Sequence, residues 1–244
     1  MSSQAYFEQT LGILASIRQH ETGVLQEVAV VFAEVIAADR LIHTFGTGHS
    51  SLLACEGMYR AGGLACVNAI LEPTTTFETG AVAGSFFERQ PGQATNLLDR
   101  YALEPGSVLV VFSNSGVNAL PVEVVEEAKA RGVITVAVLS RRYASQAPIT
   151  SESGVGLLEV ADFVIDNHVP PGDALIPFKQ DAFRAGSAST VAGAFIWNAL
   201  VAETVAILES DGVDAPVYIS SNMPGANEHN RALVERYRGR IRHL

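Results

Sequence analysis

Apolar residues in this chain fall into two kinds of pattern. Some form compact runs: Leu41–Phe45, Leu64–Leu71, Ser107–Phe112, Ile134–Leu139 and Phe163–Asp166. Others recur at helical spacing, as Phe7, Leu11, Leu14 and Ile17 do, or Val122, Val125 and Ala128. Compact runs without strict alternation predict strands covered on both faces, as in a parallel sheet. The spaced residues predict amphipathic helices over Tyr6–Ile17, Gln19–Ala38, Ser50–Gly62, Thr95–Arg100, Asn118–Arg131 and Asn227–Arg240. A long apolar helix is expected at Ala185–Leu208, an additional strand at Pro216–Ile219, and a polar, threonine-rich loop from Glu72 to Pro91. Because strands and helices alternate, right-handed crossovers should build an α/β protein with its sheet between helices. No linker or repeat divides it, so residues 1–244 read as one domain. Its core spans about residues 30–211, with N-terminal helices over 1–38 and a C-terminal extension over 212–244.

Two strand-to-helix junctions carry candidate chemistry. Leu41–Phe45 leads into Gly46, Thr47, Gly48, His49, Ser50 and Ser51. Val108–Phe112 leads into Ser113, Asn114, Ser115 and Gly116, with Asn118 two residues on. Each is a buried strand, then a turn rich in small and hydroxyl residues, then a helix start. Unpaired backbone N–H groups and the helix dipole make such a start an anion site. Two of them in one domain suggest a phosphorylated ligand held from two sides. Ser113 and Ser115 also fit a cap for the following helix, although a cap needs one hydroxyl and this loop offers two plus Asn118. A dinucleotide reading fails on detail. GTGHSS lacks the third glycine of the G-x-G-x-x-G fingerprint, and Glu72 falls just past the required acidic position. No cofactor is expected.

The chain is 48% hydrophobic and 17% charged, with a formal net charge of -10. The low charge content fits a doubly covered sheet with an apolar subunit interface, so a dimer or tetramer is expected. The acidic balance argues against nucleic-acid and anionic-membrane partners. MSSQAYFEQT has neither a basic nor an apolar leader segment, and the apolar stretch Val191–Ala202 is short and broken by Asn198. The expected location is the cytoplasm. Cys55 and Cys66 are expected as buried free thiols. His43, His49 and His168 lack a recognised ligand spacing, so no metal is expected.

With GTGHS after the first strand, SNSG after the third and GSAST at the long late helix, the chain resembles the SIS (sugar isomerase) domain. The resemblance covers roughly Val30–Asp211 and is closest to the free-standing bacterial members. It implies a flavodoxin-like, three-layer αβα sandwich with five parallel strands and a phosphosugar ligand. It also implies that Ser113, Ser115 and Asn118 hold the phosphate while Asn114 and Gly116 shape the turn. Gly48, His49, Ser50 and Ser51 supply the first loop. Ser187, Ser189 and Thr190 match a late hydroxyl cluster, although they also suit a helix cap and close packing. The activity implied is aldose–ketose isomerisation of a phosphorylated sugar or amino sugar. The alternatives are a non-catalytic phosphosugar sensor and a phosphosugar lyase or etherase. The etherases' longer first-loop motif ends in a glutamate, and here Glu56 lies too close to Ser50 to match it.

Isomerisation needs a base to move a proton between adjacent carbons and an acid–base group for ring opening. The candidates are Glu78 in the threonine-rich loop and the Glu228–His229 pair at the start of the C-terminal helix. In the family such groups often arrive from outside the sheet, sometimes from a neighbouring subunit. Glu228 equally suits the first turn of a helix on electrostatic grounds.

Overall fold

Each of the five compact runs forms a strand in the computed structural model, which describes residues 1–244. Helices α1 (Ser2–His20) and α2 (Thr22–Ala37) precede β1 (Ile42–Gly46). A single 3-10 turn (Gly48–Ser50) and α3 (Ser51–Glu56) lead to β2 (Val67–Ala69). Next come α4 (Ala81–Phe87), α5 (Ala94–Leu98), β3 (Val108–Phe112), α6 (Ala119–Ala130) and β4 (Ile134–Leu139). The short helices α7 (Arg141–Ala144) and α8 (Leu157–Val160) precede β5 (Phe163–Asp166). A hairpin of β6 (Ala174–Phe178) and β7 (Phe183–Ser187) is followed by α9 (Ser189–Ser210) and α10 (Ala226–Tyr237).

The five main strands lie in the order β2-β1-β3-β4-β5 and all pair in parallel. Their side chains alternate between two cores. Val108, Val110 and Phe112 of β3 join a cluster of 33 buried residues, whereas Leu109 and Val111 join one of 19 on the opposite face. The larger cluster lies under α2 and α9, where Phe32 meets Trp197 with ring centroids 6.1 Å apart. The smaller lies under α5 and α6. This is the three-layer αβα sandwich. By length and mean hydropathy, 1.8 over its most apolar window, α9 could cross a membrane. Here Ile196, Trp197 and Leu200 are buried in the larger core.

The N-terminal helices are integral to this packing. At the bend between α1 and α2, the buried Glu21 accepts hydrogen bonds from the Asp166 N–H (3.1 Å) and from His168 Nε2 (2.9 Å). The start of the chain is thereby tied to the end of β5.

Several boundaries differ from the sequence reading. The late helix starts at Ser189 rather than Ala185, because Phe183–Ser187 pairs with β6 and the Asp173 carboxylate accepts the Ala188 and Ser189 N–H groups. The helix after the first loop ends at Glu56, well short of Gly62. The Glu72–Pro91 segment contains α4. Pro216–Ile219 contributes only a bridge between Leu64 and Val217. Cys55 is exposed, since α3 turns that side to solvent, while Cys66 is buried as expected.

Candidate functional site

β1 and β3 are neighbours in space, but the chain passes from β1 to β2 on one side before returning to β3 on the other. Such a reversal opens a crevice at the carboxyl ends of the two strands. A cleft of about 370 Å³ lies there. The two glycine- and hydroxyl-rich turns face each other across it.

The first turn folds back tightly. A Cβ on Gly46 would sit 2.4 Å from the Ser50 carbonyl oxygen, so only glycine fits. The Gly48 N–H donates to the Thr75 carbonyl (2.9 Å), which anchors the turn on the threonine-rich loop. His49 and Ser50 line the cleft, with the His49 ring edge-on to Phe77 at 4.9 Å. Ser51 does not line it. Its hydroxyl is buried and donates to the Gly48 carbonyl (2.6 Å).

The second turn is more open. Ser113 accepts the Gly116 N–H at 3.2 Å, and Gly116 adopts φ +66° with its α-carbon against Leu139 and Leu157. The N–H groups of Asn114, Ser115, Val117 and Asn118 find no acceptor in the chain. Neither does the hydroxyl of Ser115, which lines the cleft with Ser113, Asn114 and Asn118. Asn118 caps α6 by backbone position alone, because its side-chain amide donates elsewhere, to Glu88. Asn114 Oδ1 accepts from Asn167 (2.9 Å), which braces the turn against the end of β5. The result is a cup of uncharged donors at the start of a twelve-residue helix, which suits a phosphate.

Glu88 stands between the two turns. It follows α4 and is largely buried, with its side chain 15% exposed. It accepts from Thr47 Oγ1 (2.8 Å) and Asn118 Nδ2 (3.1 Å), and pairs with Arg89 (2.6 Å). These partners fix the carboxylate at the cleft wall. Asp173 forms the opposite rim, in a left-handed conformation (φ +68°). Its two oxygens are occupied by the start of α9, including the Ser189 hydroxyl at 2.8 Å. The sixteen lining residues include no lysine or arginine.

Of the residues proposed from sequence, the cleft thus gathers Gly48, His49, Ser50, Ser113, Asn114, Ser115, Asn118 and Ser189. Ser51 and Gly116 support the turns from behind. Ser187 and Thr190 lie outside; Ser187 belongs to β7, where its carbonyl accepts from the Tyr6 hydroxyl (2.8 Å). Glu78 is exposed on the threonine-rich loop, whose hydroxyls bond within the loop itself. Glu228 is exposed, and His229 bonds the Val217 carbonyl (2.8 Å) on a separate groove beside α9. The chain brings none of these three to its own cleft. Sequence reasoning missed Thr47, Phe77, Ser85, Glu88, Tyr143 and Asp173. In the structure the helix AVAGSFF places Ser85 and Glu88 one turn apart, but its exposed Val82 and Phe86 give no amphipathic pattern to announce it.

The histidines do not converge. Burial pushes His43 down to about 4, and its one close polar neighbour is Asn68 (3.3 Å). His168 pairs with Glu21. No group of three or more His, Cys, Asp or Glu is placed to hold a metal ion.

Comparison with known proteins agrees with this architecture. Residues 5–140 match the SIS domain family. UPF0309 proteins of Brucella canis and of Brucella suis biovar 1 are each 42% identical over 239 residues, covering 98% of this chain and 97% of theirs. The chain therefore belongs to the SIS-domain family and, with these relatives, to the UPF0309 proteins. Among solved structures, a phosphoheptose isomerase of Neisseria gonorrhoeae is similar in fold, with a TM-score of 0.51 and 16% identity over 85% of this chain and 97% of that one. So is the sugar isomerase domain of an RpiR transcription factor from Sphaerobacter thermophilus, with a TM-score of 0.53 and 14% identity over 98% of both chains.

Proposed function

We propose that the cleft binds a phosphorylated sugar and isomerises it between aldose and ketose. The phosphate sits in the Ser113–Asn118 turn, and the reacting carbons point toward His49 and Glu88. The observation that carries this reading is the position of Glu88: one carboxylate, oriented by Thr47 and Asn118, at the wall of a cleft whose far end offers only uncharged donors. In the reaction, the carboxylate takes the proton from carbon two of the aldose, leaving an enediol. It returns that proton to carbon one as the ketose forms, while His49 moves a proton between the two oxygens. No atom is gained or lost, and Glu88 ends as it began.

The test is proton exchange. Hexose and aminohexose phosphates are incubated with the protein in heavy water and followed by NMR. One of them should take up deuterium at carbon one or two and interconvert with its partner sugar. If a ligand binds saturably but returns without deuterium, the isomerase reading is overturned. The cleft then serves as a sensor, a role favoured by the three donors already on Glu88.

A further inference from the structure

We propose that the β6–β7 hairpin is an intermolecular arm, which in a dimer reaches the cleft of a second copy and places Lys179 at its mouth. The proposal rests on the reading of that cleft as an anion site. It adds a cation, which none of the residues lining the cleft supplies.

The hairpin leaves the rim of its own cleft at Asp173 and returns at Ser189. It is held away from that cleft. The Tyr6 hydroxyl of α1 donates to the Ser187 carbonyl (2.8 Å), and the Tyr6 ring occupies the space beside Gly186. No residue from 174 to 187 lines the cleft. Five residues of extended chain carry the tip roughly 16 Å from the base, and every residue of β7 is exposed. At the tip Phe178 and Phe183 stack in solvent, with centroids 5.7 Å apart and planes 14° apart. The base of β6 is anchored by Leu175 and Ile176 in the larger core, but an aromatic pair left in water at the tip marks a surface that another molecule covers. Lys179, Gln180 and Asp181 form the connecting turn with φ of 48°, 58° and 70°. Three successive left-handed residues that are not glycine persist only where surrounding contacts hold them.

Charge identifies the occupant. The chain has only two lysines. Lys129 pairs with Asp162 (2.8 Å). Lys179 has no carboxylate partner and lies over the Phe183 ring at 5.8 Å, while the neighbouring Arg184 is fully engaged by Asp181 (2.8 and 2.9 Å). The cleft has the opposite deficit: its lining includes two carboxylates and no lysine or arginine, and Arg89, beside the wall, is engaged by Glu88 (2.6 Å) and Ser85 (2.8 Å). A two-fold dimer in which each arm crosses to the other's cleft meets both needs with one self-complementary surface.

The experiment combines sedimentation velocity with calorimetric titration of inorganic phosphate. The wild type should sediment as a dimer, and the double variant Phe178→Ser, Phe183→Ser as a monomer. Lys179→Ala should remain dimeric but bind phosphate about tenfold more weakly, with Lys179→Arg close to wild type. Co-expression then tests action in trans. Lys179→Ala chains keep an intact cleft, and Ser115→Trp chains keep an intact arm. Together they should regain about a quarter of the wild-type number of tight sites, because each mixed dimer holds one. A monomeric wild type, unchanged affinity in Lys179→Ala, or no recovery on co-expression overturns the arm while leaving the cleft reading intact. A wild type that dimerises through the hairpin yet binds no phosphate overturns the anion site and, with it, the role of Lys179.

Discussion

In the first turn, Ser51 directs its hydroxyl back onto the Gly48 carbonyl and Thr47 gives its own to Glu88. In the third-strand turn, Ser115 keeps its hydroxyl free, and four N–H groups beside it have no acceptor. The two turns occupy equivalent places at the ends of adjacent strands. The first is the more fully tied down, although the Ser50 hydroxyl and the Thr47 N–H are without partners, and the second has more donors to spare. Even the strands differ: where β3 buries Leu109, β1 places His43 directly opposite. On the proposed function, the difference divides the work. The open turn is suited to holding an anion; the first turn, through Thr47, orients Glu88 and carries His49 at the cleft for the proposed chemistry.

The severest test of that division is Glu88→Gln. The amide keeps one accepting oxygen of the two, so a stability loss of about 1 kcal/mol is expected while the fold persists, but it cannot take a proton. Turnover should fall by about 10²–10⁴-fold with KM little changed. Wild-type kcat in this variant would remove Glu88 from the mechanism.

The second test concerns the strands. Because burial pushes the His43 imidazole down to about 4, the unfolded chain takes up a proton below pH 6.5 that the folded chain refuses. Stability therefore declines as pH falls from about 6.5 to about 4, by roughly 3 kcal/mol in total, and is unaffected by this group above that window. His43→Gln should flatten this part of the profile in chemical denaturation at pH 7, 5.5 and 4.5. An equally steep profile in the variant would mean that other groups set the acid response.

The smallest effects discriminate the turns most finely. Ser115→Ala should weaken phosphorylated ligands about tenfold, with unphosphorylated sugars and Tm unchanged. Ser51→Ala should do the reverse, costing about 1 kcal/mol of stability with little change in affinity. If Ser115→Ala instead lowers Tm and spares affinity, its hydroxyl serves the fold and the contrast between the turns collapses.

The strand runs were legible in sequence because burial on both faces forces an uninterrupted apolar composition, as in Val108–Phe112. The two turns were legible because glycine and hydroxyls cluster where backbone must bend near a ligand. Glu88 was not. Its helix, AVAGSFF, leaves Val82 and Phe86 exposed and carries a glycine, so no amphipathic stripe announces it. The hairpin was hidden for the opposite reason. FRAGSAST runs straight into the apolar residues of α9, and the boundary is set by Asp173, which lies before the hairpin in the chain and against the helix start in space. Glu228 and His229 looked suitable by residue type. The placement of His229 on the groove beside α9, with Glu228 exposed next to it, follows from packing in the C-terminal segment that local pattern does not encode.

The union of α2 with α9 also has a consequence for synthesis. Phe32 leaves the ribosome early, but its partner Trp197 is made 165 residues later. At translation speeds of roughly 5–20 residues per second, the apolar side of α2 waits on the order of ten seconds for its partner. During that interval the nascent chain exposes a sticky helix, and destabilising changes at the α2–α9 seam should appear first as poor yield in the cell.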